Sequence, residues 1–268
     1  MRRMRYGRIT AKTRDDGFEP SALSRFVPSG LTILALCSGA TAIRFALDGN
    51  FRAAVIAIIV AAVLDTMDGK IARLLGADSK FGAQLDSLAD LVSFGIAPAV
   101  LTYRWTLHQA GGAGWTIALI YCVCCAIRLA RFNIETVEAA DQHAANAHFS
   151  GVPTPAAACM VLLTMLVSFQ WHDTTAGAWL ADPILNGAVV SIVSLLMVSR
   201  IPTLSLKNLH LERRYLWLAS LVGAAIVTLA VLWPWATLSG GLALYILTLP
   251  LGARPRSEQR QLFREFGE

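Results

Sequence analysis

The sequence predicts an all-α protein: a polytopic transmembrane helix bundle of about eight spans, with both termini in the cytoplasm. Three observations carry that expectation. Of the 268 residues 55% are hydrophobic and only 15% charged, which is far too apolar for a soluble domain of this length. The apolar residues collect in runs of about 20, the helix length needed to cross a bilayer. The basic residues collect between alternate runs, as they do in cytoplasmic loops.

Residues 1–26 form a basic amino-terminal segment with seven Lys/Arg, from Arg2 to Arg25. It is longer and more polar than the n-region of a cleaved signal peptide, so it is read as retained. Near anionic lipid, each of its basic residues adds about 1 kcal/mol of attraction. The membrane domain follows over 27–250, with spans expected near 28–47, 51–68, 87–107, 114–132, 154–172, 183–200, 215–233 and 235–250. Residues 251–268 are a basic cytoplasmic tail.

With the amino terminus inside, twenty of the 23 Lys/Arg fall on inner segments, and only Arg44, Arg52 and Arg104 on outer turns. The positive-inside rule is met at every loop, which places both termini in the cytoplasm. The same interleaving argues against a nucleic-acid surface, which the net charge of +5 could otherwise suggest. Cys37, Cys122, Cys124, Cys125 and Cys159 lie inside apolar runs and are read as buried small residues. Cys122 and Cys125 make a C-x-x-C without a second pair, so neither a disulfide framework nor a zinc site is expected.

Between spans two and three the chain reads LDTMDGKIARLLGADSKFGAQLDSLADLVSFG. Asp65 and Asp68 are i and i+3, Asp86 and Asp90 are i and i+4, so each pair lies on one helical face. A charged aspartate in hydrocarbon costs roughly 2.5 kcal/mol or more, so four together must face the interior and be neutralised. Two opposed faces make an oxygen cage without imidazole or thiolate, a donor set suited to Mg²⁺ or Mn²⁺. Two such ions can clamp a diphosphate. Gly69 and Gly82 lack side chains where a phosphate would approach. Ala72 keeps the same face thin, and the Arg73 guanidinium suits a phosphate. A bland alternative is that the aspartates merely cap helices and pair with Lys70, Arg73 and Lys80.

The string D-x2-D-G-x2-A-R-x8-G-x3-D-x3-D is complete from Asp65 to Asp90 and resembles the CDP-alcohol phosphatidyltransferases. The resemblance implies that Asp65 and Asp86 bridge two metals, that Asp68 completes one, and that Asp90 completes the other while acting as general base. It also implies that Gly69, Arg73 and Ser79 contact the CDP moiety. Three further stretches, DSLADLVSFGIAPA (86–99), RLARFN (128–133) and FSGVPTPAAA (149–158), with MVSRIPTLSLK (197–207), resemble the bacterial membrane-integrated phosphatidylserine synthases. They imply CDP-diacylglycerol and L-serine as substrates within a membrane of lipids, and leave a homodimer open.

From the residues themselves, Arg128 and Arg131 sit i and i+3 at the inner end of span four, level with the aspartates. With Asn133 they could hold a serine carboxylate or a lipid phosphate. The alternative is that both arginines snorkel to headgroups as anchors. Two rival functions remain at this stage: the same chemistry on inositol phosphate, glycerol 3-phosphate or choline, and cation transport, since intramembrane carboxylates also mark ion pathways.

Overall fold

The structure is a computed structural model and describes residues 22–75, 79–141, 152–171, 174–199, 232, 235–241 and 243. Among these, every regular element is helical. Helices α1 (Ala22–Leu47) and α2 (Phe51–Leu75) form a hairpin. Its turn needs glycine: Gly49 has φ +76. Gly49 N–H donates to the Ala46 carbonyl and Asn50 N–H to the Phe45 carbonyl, at 3.2 and 2.9 Å, the bond pair that closes a helix end around a left-handed residue. Asn50 Oδ1 then accepts from Ala53 N–H at 3.2 Å and starts α2. Ala42, Ala46, Ala54, Ala57 and Ala61 are buried in this half of the core, and small residues of this kind let helix backbones approach closely in a membrane. Ser38 adds a bond from α1 to the Ala57 carbonyl of α2 at 2.8 Å.

Helix α3 (Lys80–Asp90) runs without a break through one π-helical turn, Leu91–Ile96, into α4 (Ala97–Trp105). A 3₁₀ turn (Leu107–Ala110) leads into α5 (Gly111–Asp141), followed by α6 (Thr154–Ser168), the short α7 (Thr175–Leu180) and α8 (Pro183–Val198). The Lys80–Trp105 rod is central: 50% of its most apolar stretch is buried inside the molecule, against 28% in Val27–Leu47 and in Leu107–Glu135. One side of it, Phe94, Ala97 and Leu101, packs with Ala54, Ile58, Leu162 and Met165. The other, Ala99 with Leu107 beyond it, packs with Tyr121, Cys125, Val161, Val190 and Met197.

Among the described residues three helical segments, Val27–Leu47, Phe81–Trp105 and Leu107–Glu135, are long and apolar enough to cross a membrane. Ile33, Leu34, Ile56, Val60, Val63, Ile120 and Val123 point outward and are exposed, the surface a membrane protein offers to lipid tails. Among the described residues six of the eight apolar runs form helices, and residues 235–241 of the last run are helical too; the differences have physical causes. Helix α2 is 25 residues long but carries Arg52, Asp65, Asp68, Lys70 and Arg73, so its composition is not that of a simple span. Helices α6 and α8 have 15 and 16 residues, short of the about 20 a full crossing takes. Helix α5 continues past the expected end at 132 to Asp141, because Glu135, Glu138, Ala139 and Ala140 are good helix formers that extend the helix beyond the strongly apolar run. Helix α7, opened by a Thr174 cap, is not anticipated. Cys37 is exposed rather than buried, on the outward face of α1 near Ile33 and Leu34; all five cysteines are free. The expected span at 215–233, save residue 232, most of 235–250, residues 1–21 and the tail lie outside the described residues.

Candidate active site

Both aspartate helices extend beyond their apolar parts, so the carboxylates project from within helices rather than from their ends. Asp65 and Asp68 on α2 and Asp86 on α3 converge: a carboxylate oxygen from each lies within 4.8 Å of the others. Asp68 is 5% exposed, and Asp65 and Asp86 are half-buried. Thr32 on α1 donates to Asp68 Oδ2 at 2.8 Å. Asp90, one turn beyond Asp86, is close enough to Asp65 to interact with it, and its Oδ2 is 3.4 Å from Thr154 Oγ1 at the start of α6. Carboxylates this close repel unless a proton or a cation stands between them. An all-oxygen set converging from two helices fits a hard divalent cation, so the residues present suit the metal that the sequence pattern implies.

The second pair of aspartates is followed directly by the π turn, Leu91–Ile96. A π turn leaves helix carbonyls without their usual partners, and such turns concentrate at functional sites. Here neighbouring helices supply the partners. Fully buried Tyr121 donates to the Phe94 carbonyl at 2.8 Å, and Cys122 Sγ lies 3.7 Å from the Gly95 carbonyl. Ser93 donates to the Ala35 carbonyl of α1 at 3.2 Å. Glycine at 39 makes that approach possible, since a Cβ there would sit 2.7 Å from Ser93 Cα.

The remaining sequence-marked residues fall around this centre with different duties. The Gly69 carbonyl accepts from Arg73 Nε at 2.8 Å, and a Cβ on Gly69 would meet nothing closer than Arg73 Nη2 at 3.9 Å, so the surface after Asp68 is open. Ala72 is partly buried and Arg73 exposed. Ser79 caps α3, its Oγ accepting from Gly82 N–H at 2.9 Å. A Cβ on Gly82 would come within 3.0 Å of that oxygen, so the missing side chain also makes room for the cap. Asn133 Nδ2 donates to Ser87 Oγ at 2.9 Å and so reaches the residue next to Asp86. Arg128 is partly buried beside Cys125. Arg131 reaches elsewhere: its Nη1 donates to the Val198 carbonyl at 3.0 Å, the last residue of α8. Sequence reading did not single out Thr32, Thr154 or Ser87. Each is one small hydroxyl residue among many, and only the folded helices show which ones face a carboxylate or its neighbour.

The profile of the CDP-alcohol phosphatidyltransferase family matches residues 25–193, from α1 into α8. The chain is 40% identical over 186 residues to the CDP-diacylglycerol–serine O-phosphatidyltransferase of Mycobacterium leprae, which covers 69% of this chain and 59% of that protein. It is 34% identical over 230 residues to the protein of the same name from Mycobacterium tuberculosis H37Rv, with 86% and 79% covered. The like-named protein of Bacillus subtilis is 37% identical over 177 residues, with 66% and 88% covered.

Proposed function

The chain belongs to the CDP-alcohol phosphatidyltransferase family, and from that premise we propose that it transfers a phosphatidyl group from CDP-diacylglycerol to L-serine, forming phosphatidylserine and releasing CMP. The observation that carries the reading is the convergence of Asp65, Asp68 and Asp86 with Asp90 beside them. The names of the relatives support serine as the acceptor.

In this reading Asp65, Asp68, Asp86 and Asp90 hold two divalent cations, Mg²⁺ or Mn²⁺. Bound there, the cations supply charge neutralisation for the diphosphate and for the departing phosphate. Asp90 is the general base. It stands at the edge of the cluster, where its carboxylate can take the proton of the serine hydroxyl as that oxygen attacks the lipid-bearing β-phosphorus. The new bond joins serine Oγ to phosphorus; the bond to the bridging oxygen of CMP breaks, and CMP leaves with the electron pair. Gly69, Ala72 and Arg73 line the open side for the CDP group, with Ser79 and Gly82 at the head of α3. Asn133 and Arg128 border the acceptor side. The distribution of basic residues supports eight spans with both termini and the aspartate cluster at the cytoplasmic face, and the bacterial relatives support an inner membrane as the location.

The test is CMP release by the purified protein in detergent, with CDP-diacylglycerol and Mn²⁺ or Mg²⁺. Serine, inositol phosphate, glycerol 3-phosphate or choline is supplied separately. Release that needs serine and stops on adding EDTA is expected. Release with another alcohol overturns the acceptor, and no release with any alcohol overturns the transfer reaction.

A further inference from the structure

We propose that Thr32 is a positioning residue for the metal site: its hydroxyl, reaching across from α1, fixes the Asp68 carboxylate in the orientation in which it joins Asp65 and Asp86. This rests on the divalent-cation reading of the cluster given above. Thr32 and Asp68 are both buried, 4% and 5% exposed, and Thr32 Oγ1 lies 2.8 Å from Asp68 Oδ2. The same hydroxyl lies 3.1 Å from the Pro28 carbonyl, but it has only one proton to give. The carboxylate is nearer and, as an anion, the stronger acceptor, so the proton goes to Asp68.

The arrangement has the properties a positioning contact needs. A helical threonine is confined to two χ1 rotamers, and Thr32 holds one that keeps Oγ1 beside the carbonyl of Pro28, four residues earlier; α1 is seated on α2 along the alanine-rich seam, so the backbone limits where the hydroxyl aims. The terminal torsion of an aspartate is soft. One donated hydrogen bond selects a rotation of the carboxylate and still leaves lone pairs on its oxygens for a cation. Partners of this kind behind a metal ligand typically alter metal affinity by about 10- to 100-fold.

The rival reading is an ordinary interhelical hydrogen bond, and the hairpin contains its own control. Ser38 also donates from α1 to α2, at 2.8 Å, but to the Ala57 carbonyl and away from the aspartates. The full-length protein in detergent, without substrate, is titrated with Mn²⁺ and the free ion is read by electron paramagnetic resonance; thermal unfolding is followed in parallel. Thr32→Val, which keeps the shape and removes the hydroxyl, is expected to weaken Mn²⁺ binding about tenfold or more. Thr32→Ser, which restores the hydroxyl, is expected to bind near the wild-type level, and Ser38→Ala to bind as wild type. Thr32→Ala replaces Thr32→Val if the latter does not purify folded. Wild-type Mn²⁺ affinity in Thr32→Val or Thr32→Ala, with unfolding lowered as in Ser38→Ala, overturns the proposal and leaves the metal reading standing. A wild-type protein that binds no Mn²⁺ and turns over in EDTA overturns both.

Discussion

The two helices that bring the aspartates together are held by different physics. Helix α2 is regular throughout, and its pair, Asp65 and Asp68, is carried on a rail packed against α1 through small apolar residues such as Ala54, Ala57 and Ala61. The rod bearing Asp86 and Asp90 changes to a π turn directly after Asp90. That turn is held by directed polar contacts with α1 and α5: Ser93 to the Ala35 carbonyl and Tyr121 to the Phe94 carbonyl. One half of the site is therefore seated mainly on a seam of small residues, and the other adds to its packing buried hydrogen bonds at an irregular turn. Packing tolerates small changes in shape within limits, whereas a buried acceptor stripped of its donor has no substitute in hydrocarbon.

The largest effect is expected where the two halves meet the chemistry. Asp90→Asn keeps size and removes the proposed base, so CMP release should fall about 10²- to 10⁴-fold. Thermal unfolding in detergent should stay near wild type. A variant that releases CMP at the wild-type rate would remove Asp90 from the reaction and leave it a structural neighbour of Asp65 and Thr154.

Next come changes at the contact between the halves. Gly39→Val places a side chain against Ser93, whose Cα would lie 2.7 Å from the new Cβ. Backbone cannot move aside as a flexible side chain can, and overpacking of this kind costs up to about 3 kcal/mol. Unfolding temperature and activity should drop together. Gly30→Ala on the same helix is the matched control: nothing lies within 4 Å of its added Cβ, so it should be neutral or slightly stabilising. Equal destabilisation by both would mean that α1 needs its glycines for some reason other than the approach to the π turn.

A smaller loss is expected from Tyr121→Phe. The ring stays, but the Phe94 carbonyl loses its donor in a fully buried position, at a cost of about 1 kcal/mol. Because the carbonyl lies one turn after Asp90, kcat should fall as well, with the KM for serine little changed. An unaltered kcat in a destabilised variant would show that the π turn holds the rod together without aiming the aspartate.

The same contrast explains what could be read beforehand. The α1–α2 hairpin, the central rod and the four aspartates were legible because hydrophobic run length and i, i+3 or i, i+4 spacing are local properties of the chain. The π turn was not, since LVSFGI differs little in pattern from a regular apolar helix, and the donors that meet its carbonyls, Tyr121 and Cys122, come from a distant segment. The hydroxyls of Thr32 and Thr154 were invisible for the same reason. Each faces its carboxylate through tertiary contact across 36 and 64 residues of chain.

Arg131 has a tertiary contact that its local spacing does not show, and it carries the smallest of the expected effects. Its spacing from Arg128 suggests a paired anion site, yet its guanidinium donates to the Val198 carbonyl at the carboxyl end of α8, where helix carbonyls lack internal partners and the dipole favours a cation. Arg131→Met keeps much of the apolar stem and removes the charge. Loss of the cap should lower stability by about 0.3–1 kcal/mol, visible as a small drop in unfolding temperature, with the KM for serine unchanged. Asn133→Ala, which frees Ser87 next to Asp86, should by contrast act on turnover. A tenfold rise in the KM for serine on Arg131→Met, with unfolding unmoved, would return Arg131 to the acceptor site and make the contact with α8 incidental.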